Sequence, residues 1–130
     1  MQTWSGRLAL RIDSEPVQSF SAGFELTGGA QAGKLTAFSP FGATLAELKW
    51  SPGAARLRSD GKDQEFASID ALTRNAFGSE LPIGALFRWL AGENPPVDGW
   101  QADLSQLASG RLEARRVAPA PSVLLRLVLD

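Results

Sequence analysis

The sequence predicts an α+β domain: a curved antiparallel sheet with two short helices packed on its apolar face. Three observations predict it. Alternation with period two dominates the first half, helical periodicity takes over near Ser68, and strand patterning returns after a proline-rich break. Strands, then a helical pair, then strands is an order that segregates helices to one side of a sheet. The 130 residues suffice for one real core and are read as a single domain, 1–130.

The strands follow in order. In "WSGRLALRID" Trp4, Leu8, Leu10 and Ile12 share one face, with Arg7 and Arg11 on the other. Phe20, Ala22, Phe24 and Leu26 repeat the pattern, as do Leu35 and Ala37, then Ala46, Leu48 and Trp50. Turn residues punctuate the run at "DSEP", "TGGAQAG", "SPFG", "SPG" and "SDGKD". "SPFG" has Pro40 and Gly42 where a type I turn favours them, yet it places Phe41 at the corner. The ring either folds back under the sheet or is held out to meet something apolar.

In "SIDALTRNAFG", Ser68 is the expected N-cap and Gly78 the expected stop, with Ile69, Leu72 and Ala76 along one stripe. "LPIGALFRWLAG" starts with Pro82, tolerated in a first turn, and ends at Gly92. Ile83, Leu86, Phe87 and Leu90 stand at i, i+3, i+4 and i+7, an amphipathic stripe. Both helices are too short to stand alone and must lean on the sheet. Beyond "ENPPVDG", three more strands are expected in "WQADLSQL", "RLEARRV" and "SVLLRLVL".

Composition narrows the function. A net charge of -1 with scattered basic residues gives no electrostatic reason to bind nucleic acid. Without histidine or cysteine the chain lacks the commonest general base, thiol nucleophile and transition-metal ligands, so no catalytic group, metal or cofactor is expected. Arg126 interrupts the longest apolar run, far short of the roughly 18 residues of a membrane-spanning helix. "GGAQAGKL" matches a phosphate loop only in Gly28, Gly33 and Lys34. Leu35 stands where a Ser or Thr should reach magnesium, and a strand follows instead of a helix. "SDGKDQE" gathers acids without the spacing of a calcium loop and reads as a solvated hairpin. Patterning then leaves two readings open: a module whose sheet and helices line a pocket for an apolar ligand, or a solid-cored interaction domain.

The order of "WSGRLALR", the strand pair around "SPFG", "LPIGALFRWLAG" with a following "GW", and the terminal "LLRLVLD" resembles the LolB family of outer-membrane lipoprotein receptors over nearly the whole chain. The resemblance implies an incomplete antiparallel β-barrel, with helices covering a hydrophobic cavity for acyl chains. It implies that acylated lipoproteins arrive from a LolA-type carrier and are inserted into outer-membrane lipid. It also implies that a protruding turn, here Pro40, Phe41 and Gly42, enters that lipid. Cavity-lining residues are expected at Leu8, Leu10, Phe20, Phe24, Leu48, Trp50 and Leu57 from the strands, and Leu86, Trp89 and Leu90 from the helices. The protein is expected to be a monomer on the periplasmic side of the outer membrane, lipid-anchored in its full-length form. This chain carries no leader or acylated cysteine, which suggests truncation, and should be soluble. The segment between Gly92 and Gly99 is short beside the family pattern, which leaves strand number open. A LolA-like periplasmic carrier, sharing the fold, is the near alternative.

Overall fold

The computed structural model describes residues 3–77 and 80–130. Nine antiparallel strands form one sheet: β1 Thr3–Ile12, β2 Gln18–Gly28, β3 Gly33–Phe38, β4 Thr44–Ser51, β5 Ala54–Ser59, β6 Lys62–Phe66, β7 Trp100–Asp103, β8 Arg111–Arg116 and β9 Val123–Leu129. Their spatial order is β6-β5-β4-β3-β2-β1-β9-β8-β7, so the first and last strands pair within the sheet and β6 and β7 form its two edges. The result is a curved, unclosed sheet, an α+β incomplete barrel. The two helices are α1 Ile69–Phe77 and α2 Ile83–Leu90.

This topology dictates where the helices lie. The chain leaves the sheet at one edge, at Phe66, and re-enters at the opposite edge, at Trp100. The connection must therefore cross a face of the sheet. The concave face is the apolar one, because the alternating residues Leu10, Ile12, Phe24, Leu26, Leu48 and Trp50 are all buried there. Register fixes the alignment: Leu10 opposes Phe20 and Leu125, Leu26 opposes Leu35, and Leu35 opposes Leu48.

The helix ends obey local chemistry. Ser68 Oγ accepts a hydrogen bond from the Ala71 N–H at 3.1 Å, the expected cap of α1. Gly78, read as its stop, lies outside the described residues. At α2, Pro82 occupies the cap position just before the first helical residue, and no side chain caps that end. The far end closes with Glu93 N–H on the Arg88 carbonyl (2.9 Å) and Gly92 N–H on the Trp89 carbonyl (3.0 Å), a Schellman pair. Between the helices, the buried Thr73 hydroxyl donates to the Asp70 carbonyl (3.1 Å) and accepts the Leu81 N–H (3.2 Å). One hydroxyl thus ties the start of α2 to α1.

Two stretches that imitate ligand loops prove structural. Residues 29–32 of "GGAQAGKL" turn the chain between β2 and β3, closed by the Gly29 N–H on the Ala32 carbonyl at 2.9 Å. The Trp50 indole lies over Gly33, where an added Cβ would stand 2.7 Å from Trp50 Cζ2, and donates to the Gly29 carbonyl at 3.0 Å. Two of the three acids of "SDGKDQE" face cross-strand arginines: Asp63 meets Arg58 at 3.0 Å and Glu65 meets Arg56 at 3.3 Å. The Arg58 hydrogen bond holds the Asp63 carboxyl below its ordinary pKa. The stretch read as one strand, "WQADLSQL", is shorter: Asp103 Oδ1 accepts the Ser105 N–H at 2.9 Å and ends it, and Leu107–Ser109 form a single 3-10 turn.

Leu72, on α1, is fully buried. Leu72→Ala removes buried methyl groups and leaves a hole, so unfolding free energy in urea should fall by about 2–5 kcal/mol.

Candidate functional site

The candidate site has two parts, an apolar interior and an exposed aromatic tip. The interior lies between the concave sheet face and α2. Along α2, Ile83, Leu86, Phe87, Trp89 and Leu90 are all buried. The Phe87 ring sits between two strand tryptophans, 5.6 Å from Trp4 in an edge-on arrangement and 6.2 Å from Trp50. Trp89 meets Trp100 at 6.2 Å, joining the helix to the β7 edge. An unfilled space of about 40 Å³ remains under α2, walled only by carbon.

The structure brings Leu8, Leu10, Phe24, Leu86 and Trp89 of the expected set around that space. Leu48 and Trp50 are buried on the same concave face, and Leu57 is half-buried against the core. Leu90 is buried in the core but does not reach the space. Phe20 lies on the same strand face but at the rim, 37% exposed, because β2 there runs beyond its neighbour β3. Leu26, Leu35, Leu125 and Leu127 also line the space, and sequence reasoning did not nominate them. Their signal was present, since Leu26 continues the alternation of Phe24, and Leu125 and Leu127 alternate along β9. What was missing was the knowledge that β9 pairs with β1.

The space is small. Its roughly 40 Å³ compares with about 300–1,000 Å³ for ligand pockets. The protein's own side chains fill most of the expected cavity in this conformation. Eight-residue α2 is below the length at which a helix persists alone, so its position rests on packing.

The tip is built differently. Ser39 to Gly42 form a β-turn, with the Gly42 N–H on the Ser39 carbonyl at 2.9 Å. Gly42, at φ 84°, supplies the left-handed residue that closes it. Ser39 binds the turn three more times: its N–H donates to the Ala43 carbonyl (2.8 Å), and its Oγ accepts the N–H groups of Phe41 (3.3 Å) and Ala43 (3.2 Å). A register shift between Ala37 and Phe38 precedes the turn. Phe41 is therefore held at a fixed corner with its side chain 98% exposed. Leu45, 41% exposed, follows on β4.

Among the described residues, no titratable group with a shifted pKa belongs to either part of the site. The groups that do shift, Asp13, Arg58, Asp63 and Asp103, serve hairpins and turns. The Asp13 carboxyl is lowered first by its hydrogen bond from Ser122 and then by Arg11. Among the described residues no cluster of potential metal ligands occurs, and no helix is long and apolar enough to cross a membrane.

An unclosed barrel with an apolar interior under a short helix, and an exposed aromatic corner outside it, defines the class of incomplete barrels built around an apolar interior. The family described as "Outer membrane lipoprotein LolB" matches residues 2–117, nearly nine-tenths of the chain. The outer-membrane lipoprotein LolB of Bordetella petrii is 29% identical over 96% of this chain and 75% of its own length. Those of Bordetella pertussis and Dechloromonas aromatica are 30% and 32% identical, over 95% and 75% of this chain and 75% and 62% of their own lengths. The chain belongs to the LolB family.

Phe41 touches little, so Phe41→Ser should change stability by no more than about 0.5 kcal/mol. Trp89→Ala should cost about 3–5 kcal/mol. Chemical denaturation of the two variants side by side tests this contrast.

Proposed function

We propose that this protein accepts the acyl chains of lipoproteins from a LolA-type periplasmic carrier and delivers them to the outer membrane, acting without catalysis and as a monomer. The observation that carries the reading is the fully exposed Phe41 ring on a turn fastened by four hydrogen bonds from and to Ser39. A large apolar side chain held rigidly in water is stabilised by nothing in the protein. Insertion into lipid would contribute roughly 1.5–3 kcal/mol, too little to hold the protein on a membrane and enough to orient it there.

Cargo enters by displacing α2. The five buried α2 side chains contribute roughly 1.5–3 kcal/mol each, so lifting the helix without replacement would cost on the order of 10 kcal/mol, comparable with the whole stability of a domain. At about 0.8 kcal/mol per buried methylene, a dozen or so methylenes restore that loss. One long acyl chain is of that order, so chain and helix compete for the same concave wall on nearly equal terms. Near-equality is what transfer requires: the wall takes chains from a carrier and gives them up to a bilayer, with no covalent step. Leu8, Leu10, Phe24, Leu48, Trp50 and Leu57 would then contact cargo, with Leu86, Trp89 and Leu90 moving and Phe20 meeting the chain at the rim.

The nearly filled interior favours one rival, a solid-cored interaction domain. An environment-sensitive fatty-acid probe separates the two: saturable fluorescence enhancement is the outcome expected here, and none at all would leave the solid core. Phe41→Glu should keep wild-type probe binding and thermal stability while losing lipoprotein delivery to liposomes. Retained delivery would remove Phe41 from the mechanism.

A further inference from the structure

Among the described residues, no hydrogen-bond acceptor reaches Trp89 Nε1, although the residue is only 1% exposed and is among the most deeply buried large side chains. This is anomalous in physical terms. An indole N–H is a donor only, and a buried tryptophan ordinarily places it on an acceptor. Leaving it unmatched carries a desolvation penalty that a phenylalanine at the same site would avoid. Trp50 shows the ordinary solution, since its Nε1 donates to the Gly29 carbonyl at 3.0 Å.

Trp89 also stands at a boundary. One side of the ring lines the carbon-walled space under α2, beside Leu10 and Phe24. Another meets the half-buried Trp100 on the β7 edge. In this conformation Nε1 does not open onto that space, whose wall is carbon only; once α2 lifts, a chain with its head toward that edge would bring its ester or amide carbonyl to the freed indole. That carbonyl is an acceptor without competing charge, the complement of a donor-only group in a dry site.

We propose that Trp89 Nε1–H is a polar handle for the cargo, donating to the carbonyl at the head of an acyl chain and so setting how far the chain enters. The proposal rests on the acyl-binding reading above and adds a residue that distinguishes acyl chains from plain hydrocarbon. In the closed conformation the donor is left unmatched. Cargo supplies the missing acceptor, so the hydrogen bond is gained only on loading.

The experiment compares tetradecane with methyl tetradecanoate, which differ in the carbonyl-bearing head. In the wild-type protein, the Trp89 indole resonance, assigned through bonds among the four tryptophan signals, should move downfield with the ester and not with the alkane. Trp89→Phe should lower the ester's affinity relative to the alkane's by about tenfold, equivalent to about 1.4 kcal/mol. Equal binding of both ligands with an unmoved resonance overturns the handle and leaves the acyl cavity standing. Persistent contact of the indole proton with one bound water, before and after ester binding, overturns it equally. Binding of neither ligand overturns the handle together with the reading beneath it. Should Trp89→Phe fail to fold, the wild-type resonance decides alone.

Discussion

The structure depends on one constraint: the segment joining the two free edges of the sheet has to cross its concave face. With β6 and β7 at opposite edges, residues between Phe66 and Trp100 have no shorter route on that side. The hydrophobic stripe of α2 is the consequence, since a helix laid over a greasy wall must itself be greasy along the contact. Closure by a helix rather than by strand pairing leaves the barrel open along one line. A strand there would be held by a ladder of backbone hydrogen bonds. A short helix is held only by side chains.

That difference connects packing to function. Side-chain contacts between α2 and the wall are non-directional and can be exchanged for contacts with any hydrocarbon of similar area. The polar ties that locate α2 lie at its ends: the Thr73 hydroxyl on the Leu81 N–H before it, and the carbonyls of Arg88 and Trp89 closed by Glu93 and Gly92 after it. None of them crosses to the concave wall. Lifting α2 from the wall, as proposed, would therefore break no hydrogen bond to the sheet among the described residues. In this conformation the wall is covered by the protein itself, which keeps a large apolar surface out of water.

The tip follows opposite rules. At Ser39 the fold spends hydrogen bonds on rigidity where there is no core to bury, and the side chain so positioned faces away from the protein. Interior and tip therefore divide the physical work. One is apolar, adaptable and enclosed, and the other is apolar, fixed and exposed.

Much of this was legible in the sequence. Period-two alternation fixed which face of β1 to β4 is apolar, since a side chain two residues on must return to the same face. Ser68 announced the start of α1, and the spacing of Ile83, Leu86, Phe87 and Leu90 announced the buried stripe of α2. Residue chemistry alone could also see that Phe41 sat oddly in a turn. Only the tertiary structure decided that the ring points outward, because either orientation suits the local backbone. The pairing of β9 with β1, and hence the place of Leu125 and Leu127 in the interior, depends on contacts more than a hundred residues apart that no local pattern encodes. The filling of the cavity was hidden for the same reason: the volume left over is the small difference between a wall and a helix that the sequence specifies separately.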